Sequence, residues 1–217
     1  GWIQGRFVDP VNGKIQAFPT LTWKEDIRRG VQFGFSKLEW TVDWVGIKQN
    51  PIWSMDGAAE IADAKNLYTF SVPSLTADFF MQAPFWLGSR RSWQLRIDAL
   101  TRVISNCGQL GIGIIVLPLV DNSSLANLEE GIESEIVSEL LSLQHVLEES
   151  EVRIAFESDY PPKRLASFLS QFPRDIYGIN YDVGNSASLG FCPREELTMY
   201  GARIINVHLK DRVLGGE

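Results

Sequence analysis

The sequence predicts an α/β fold on a parallel sheet, and three observations predict it. Short apolar runs alternate with longer stretches of helical periodicity. One run, Ile114-Ile115-Val116-Leu117, is apolar without alternation, as a strand covered on both faces must be. The composition, 45% hydrophobic and 22% charged with 18 Gly and 10 Pro, is that of a globular chain and not of a disordered one. Alternation of strand and helix calls for right-handed crossovers, which leave successive strands parallel.

The elements follow in order. Residues 1–7 form a short apolar run ending in Gly-Arg-Phe, the first strand. Trp23, Ile27 and Val31 share one helical face over 23–34, and Gly34 stops that helix. Residues 37–42 form the second strand. Residues 56–66 form a helix with Asp56 as its cap. Residues 67–77 are β-branched and aromatic, a third strand. Leu95, Ala99, Val103 and Cys107 step by four along a long amphipathic helix over 90–110. A buried strand follows over 111–120, then an acidic helix over 124–150 with Ser123-Ser124 at its cap. Residues 152–156 are a strand, 161–172 a helix opened by prolines, 176–181 a strand, 194–200 a helix and 202–209 a final strand.

Seven strands thus alternate with six helical segments, with no linker, no low-complexity tract and no second composition regime. A single domain over 1–217 is expected. The pattern is compatible with a (β/α) barrel or an open doubly wound sheet. No Gly-x-Gly-x-x-Gly follows the first strand, so the dinucleotide-binding form of the open sheet loses support.

The charge balance, 20 basic against 27 acidic residues for a net −7, argues against nucleic acid or an anionic membrane as a partner. No apolar stretch is long enough to span a bilayer, and the N-terminal residues lack a signal-peptide layout. Two cysteines, Cys107 and Cys192, make no disulfide framework, and reduced thiols in the cytoplasm are expected.

In parallel barrels chemistry collects at the C-terminal ends of strands. Here those ends carry Gln4-Gly5-Arg6, Glu39-Trp40, Ser74 and Asp78, Asp121-Asn122, Glu157-Ser158-Asp159, Asp182-Val183-Gly184-Asn185 and His208-Leu209-Lys210-Asp211-Arg212. Three successive strands end in Glu157, Asp182 and His208. Neighbouring strands lie about 4.8 Å apart, so these groups can converge. Two carboxylates and an imidazole in one place call for a cation. The mixed O/N donor set suits one divalent ion, Mn²⁺, Mg²⁺, Co²⁺ or Zn²⁺ without choosing among them. Taken singly, each residue is equally well a cap or loop charge, and Asp182 also suits an Asx-turn. His145 lies mid-helix and is expected at the surface.

The order Phe-Glu-Ser-Asp, then Asn-Tyr-Asp-Val-Gly-Asn, then Asn-Val-His-Leu-Lys-Asp-Arg resembles the sugar phosphate isomerase/epimerase family. These are xylose-isomerase-like TIM barrels, related to ketose 3-epimerases and more distantly to endonuclease IV. Gln4-Gly5-Arg6-Phe7, Leu38-Glu39-Trp40 and residues 117–124 fit the same resemblance, which covers essentially the whole chain. It implies a TIM (β/α) barrel with one divalent metal held by Glu, Asp, His and a second Glu. Glu157, Asp182 and His208 match the first three. Glu157 would also be one of the two glutamates that move a proton beside a carbonyl.

Two departures accompany the match. The eighth strand, its helix and the second glutamate are not found before Gly215-Gly216-Glu217, and Glu217 is not assigned that role. Asn185 stands three residues after the aspartate, where many epimerases carry His. A seven-stranded barrel leaves a seam between its first and last strands: a homo-oligomer partner or a helix covers it, the barrel is partly open, or the sequence is a fragment of a longer product. Weak metal affinity and low epimerase activity are expected of such a barrel. For substrate contacts, Lys210, Arg212 and Arg6 suit a phosphate or carboxylate, and Glu39 and Asn185 suit sugar hydroxyls. Trp40, Trp44, Trp53, Phe79, Phe80 and Phe85 suit either a sugar-stacking wall or helix-to-barrel packing, with packing favoured. The expected function is therefore a metal-dependent isomerase or epimerase of a small sugar or sugar phosphate. The competing class is a non-catalytic or oligomer-dependent sugar-binding barrel. A multi-zinc hydrolase or nuclease is disfavoured by only two histidines.

Overall fold

The computed structural model describes every residue of the chain except 12, 15, 127, 130, 214, 216 and 217. Glu217 and two positions of the helix expected over 124–150 therefore lie outside the described residues. Seven strands form one sheet in chain order, each parallel to the next. They are β1 (Trp2–Ile3), β2 (Lys37–Thr41), β3 (Ser71–Thr76), β4 (Ile114–Leu119), β5 (Arg153–Ser158), β6 (Tyr177–Asp182) and β7 (Ile204–His208). The helices are α1 (Trp23–Gln32), α2 (Met55–Tyr68), α3 (Phe79–Gln82), α4 (Arg90–Leu110), α5 (Ile132–Ser142), α6 (Gln144–Glu149), α7 (Pro162–Leu169), α8 (Val183–Ser188) and α9 (Pro193–Tyr200).

A doubly wound sheet reverses its strand order at a switch point. This sheet does not reverse, so it is a barrel wall of seven staves. Among the described residues there is no eighth strand, β1 pairs only with β2, and β7 pairs only with β6. The sheet still curls far enough for His208 of β7 to touch Glu39 of β2 at 2.7 Å.

The two faces of the sheet carry different chemistry. Leu38, Trp40, Leu75, Ile115, Leu117, Ile154, Phe156, Tyr177 and Ile179 join the helices in one hydrophobic core. Trp40 sits 5.5 Å, centroid to centroid, from both Phe18 and Trp23, and Phe156 packs against Phe168, Phe172 and Tyr177. Each large side chain buried here contributes about 1.5–3 kcal/mol, so this layer holds the fold. The alternate positions Glu39, Thr41, Ser74, Thr76, Glu157, Asn180 and Asp182 are buried and polar.

Two β-bulges set which residues make up that polar layer. Lys37 pairs with Ser71 but Glu39 pairs with Ser74, so β3 carries an extra residue beside Pro73, which has no N–H for the ladder. Ile179 pairs with Ile204 but Asn180 pairs with Asn206, which leaves Ile205 as the extra residue of β7. Side chains alternate with period two, so one inserted residue switches the face of everything after it. Asn206 and His208 thereby stand in register with Asn180 and Asp182. The bulge needs Gly178 opposite it: a Cβ there would lie 2.6 Å from the Arg203 carbonyl oxygen and 2.8 Å from Ile205.

Several expected boundaries move, for local reasons. The first strand is only Trp2–Ile3, because the Asp26 carboxylate draws in the backbone N–H groups of Gly5 and Phe7. The cap of α2 is Ser54 and not Asp56: its hydroxyl accepts from the Gly57 N–H. Leu67 belongs to α2, so the third strand begins at Ser71. The single acidic helix is two helices, α5 and α6, which meet at Leu143. Ser123 caps neither. Its hydroxyl donates to the Pro118 and Val120 carbonyls, and Ser124 accepts from Ala126 N–H in a local turn. The short helix α8 was not expected at all; it follows from Asp182 acting as its cap.

Replacing Gly178 by Ala should destabilise the fold by about 1–3 kcal/mol through overpacking against the bulge. Urea unfolding measures this, and an unchanged midpoint would contradict the role given to the bulge.

Candidate functional site

The strand ends converge as the polar layer requires. Oxygens of Glu157 and Asp182 and a ring nitrogen of His208 all lie within 4.8 Å of one another. His208 Nδ1 is 3.3 Å from Glu157 Oε2 and 3.8 Å from Asp182 Oδ2, while Nε2 is 2.7 Å from Glu39 Oε1. Each acid is held by further partners. Glu157 accepts from Asn180 Nδ2 at 2.6 Å and from Asn185 Nδ2 at 2.5 Å. Asp182 Oδ1 accepts from the Asn185 backbone N–H at 2.8 Å, which is the Asx-type cap of α8. Its other oxygen, Oδ2, is buried and meets the Lys210 ammonium at 2.8 Å. Lys210 comes this close because residue 184 is Gly: a Cβ there would lie 2.5 Å from Lys210 Cγ.

The charges act on one another. Burial alone would lower the His208 pKa, but hydrogen bonds with Asp182, Glu157 and Glu39 raise it from 6.5 to about 12. Burial opposes ionisation of Asp182, yet His208, Lys210 and the Asn185 N–H hold its pKa below the usual carboxylate value. Asp78, at the end of β3, is pushed up to about 6 by burial, against hydrogen bonds from Gln16 and Thr76 that lower it.

These groups open into one cavity of about 1130 Å³. Arg6, Glu39, Glu157, Asp182, Asn185, His208, Lys210 and Arg212 all line it. Within it, Asn185 is hydrogen-bonded to Glu157, Glu39 to His208, and Arg6 to Gln16, which passes the chain on to Asp78. Trp40, Trp44, Trp53, Phe79, Phe80 and Phe85 are not among the lining residues; Trp40 and the three Phe are fully buried, and the two other Trp pack on the same core. They form the packing layer and no sugar-stacking wall. His145 is exposed and pairs with Glu149.

Sequence reasoning passed over Asn180, Asn206 and Gln16 as members of the site, and it placed Ser74 and Asp78 at a strand end without giving them a role. A signal for the two asparagines existed: each stands two residues before a strand-end ligand candidate and so shares its face. Gln16 sits in a loop with no pattern to find it by.

A divalent cation suits this donor set. Two carboxylates and a neutral imidazole nitrogen are standard ligands, and ligand atoms around a tetrahedral ion with bonds near 2.1 Å lie roughly 3.4 Å apart. The His208–Glu157 separation of 3.3 Å matches that spacing, and Asp182 Oδ2 lies 3.8 Å from the same ring nitrogen.

Residues 27–216 match the family described as xylose isomerase-like TIM barrels. Similar solved folds include a xylose isomerase domain protein from Planctomyces limnophilus (TM-score 0.69, 14% identity, 85% of this chain and 68% of that one). A xylose isomerase-like TIM barrel protein from Mycobacterium smegmatis, solved in complex with magnesium, is another (0.67, 15%, 91% and 69%). A third is D-psicose 3-epimerase from Clostridium cellulolyticum H10, solved with D-tagatose (0.69, 12%, 88% and 71%). A search of curated proteins finds no significant match. At these identities the likeness is one of fold.

With metal removed by chelator, the His208 ring should keep imidazolium NMR shifts to beyond pH 9; a ring titrating near 6.5 would contradict the carboxylate cage. The folded pKa lies above the unfolded one, so this group's stabilisation is complete below pH 6.5 and is lost as pH climbs toward 12. The stability gap between the parent chain and His208→Gln should accordingly narrow as pH rises.

Proposed function

Because the chain belongs to the family of xylose isomerase-like TIM barrels, we propose that it is a metal-dependent isomerase or epimerase. It moves a proton at the carbon beside the carbonyl of a small sugar or sugar phosphate. The observation that carries this reading is the meeting of Glu157, Asp182 and His208 in the wall of a cavity of about 1130 Å³. A solved relative in fold holds magnesium, and another was solved with D-tagatose, which supports the cation and the substrate class.

Glu157, Asp182 and His208 would hold one divalent ion. When bound, that ion supplies positive charge where a carbonyl oxygen becomes negative during proton removal. The protein's own groups do the rest. Glu157 takes the proton from carbon and returns it. Asn180 and Asn185, which bind one oxygen each, fix the plane of that carboxylate. Asn185, a neutral donor and acceptor, contacts a substrate hydroxyl and carries no proton itself. Lys210, Arg212 and Arg6 place cationic groups on the cavity wall, where they receive a phosphate or carboxylate of the substrate. Asp78 lines the same cavity as a second acid whose pKa of about 6 allows it to hold or release a proton near neutrality.

Incubation with a ketose such as D-tagatose and Mn²⁺ or Mg²⁺ in D₂O tests the reading. Deuterium should enter at the carbon beside the carbonyl, and Glu157→Gln should slow that exchange by about 10²–10⁴-fold. His208→Ala should abolish stoichiometric metal uptake measured by elemental analysis. Sugar binding without exchange, at any metal concentration, would instead identify a non-catalytic barrel.

A further inference from the structure

Glu39 reaches His208 from across the barrel, 169 residues away in the chain. We infer that Glu39 is the positioning residue of this centre: it accepts the hydrogen bond of His208 Nε2–H and so commits Nδ1 to the side of Glu157 and Asp182. The inference rests on the metal-centre reading and goes beyond it, because Glu39 is no ligand in that reading.

The argument is a count of protons. A carboxylate only accepts, so the 2.7 Å contact between Glu39 Oε1 and His208 Nε2 requires a proton on Nε2. The neighbouring amides show which ring nitrogen faces which side. Asn206 Nδ2 donates to Glu39 Oε2 and to Asn180 Oδ1, at 3.0 Å each, which uses both its protons. Asn180 therefore presents its oxygen to Asn206 and its Nδ2 to the other side. That nitrogen meets Glu157 Oε2 at 2.6 Å and His208 Nδ1 at 3.0 Å. Nδ1 therefore stands among Asn180, Glu157 and Asp182, and it is the ring atom that a cation between those two acids would meet. An imidazole with Nε2–H fixed by a carboxylate and Nδ1 free of its proton is the form that binds a cation.

Glu39 is itself immobilised for this work. Ser74 donates to its Oε2 at 2.8 Å, the pairing that the bulge in β3 brings into register. Asn206 and His208 reach it only because the bulge in β7 turns both to the inner face. Its oxygens are thus taken up by Ser74, Asn206 and His208, in place of the sugar contact that its strand-end position suggests.

Zinc is a suitable diamagnetic probe. Protein labelled with ¹⁵N-histidine and loaded with one Zn²⁺ should show His208 protonated at Nε2 and metallated at Nδ1. Glu39→Gln keeps the shape and should weaken the zinc Kd by about tenfold, and Glu39→Ala by about a hundredfold. The protected Nε2–H signal should broaden or vanish in Glu39→Ala. Circular dichroism and urea unfolding confirm that each variant is folded, and if Glu39→Ala is not, Glu39→Gln alone carries the comparison. Zinc bound through Nε2, or folded variants with an unchanged zinc Kd, would overturn this inference while leaving the metal centre standing. A parent chain that binds no zinc, manganese or magnesium would remove the metal centre and this inference together.

Discussion

The structure is organised around the burial of three carboxylates beside one imidazole. Glu39, Glu157 and Asp182 are nearly withdrawn from water at one end of the sheet. An uncompensated charge in such a place costs several kcal/mol even after relaxation. The chain answers with His208, which touches all three acids, and with Lys210 on Asp182. Neutral donors take up the remaining oxygens: Ser74, Asn180, Asn185 and Asn206. Asp182 Oδ2 is left to the two cations, with Lys210 at 2.8 Å and His208 at 3.8 Å. A cluster so acidic has a strong demand for positive charge, which His208 and Lys210 meet in part.

Stability and chemistry are kept on opposite faces of the same strands. Trp40, Phe156, Tyr177 and Ile179 bury apolar surface against the helices. Their sequence neighbours Glu39, Glu157 and Asn180 face the other way, into the polar layer. This division lets the inner layer be polar and under-compensated while the apolar layer holds the fold. It also makes register decisive. Without the extra residue in β7, Asn206 and His208 would stand on the packing face, and the cluster would lose the imidazole.

The electrostatics of the cavity differ from those of the whole molecule. The chain carries a net charge of −7, yet Arg6, Lys210 and Arg212 share the cavity wall. Local fields in a cleft follow the nearest charges and not the total. An acidic protein can therefore still hold cationic groups along the wall of a cleft.

The alternation of apolar runs and helices, and the carboxylates and histidine at successive strand ends, were legible because they are local patterns with fixed periods. Glu157, Asp182 and His208, which the structure brings within 4.8 Å of one another, were picked out on the same ground. The bulges were not legible: nothing in Pro73 or Ile205 alone announces an inserted residue, because a bulge is defined by the partner strand. The partnership of Glu39 with His208, and the amide chain through Asn206 and Asn180, depended on curvature that brings β2 opposite β7. Sequence by itself determined which side chains are available and which strand ends carry them, since both follow from composition and periodicity along the chain. Only the tertiary structure decided which of them meet, because contact between residues far apart in the chain is set by how the sheet curls and slips.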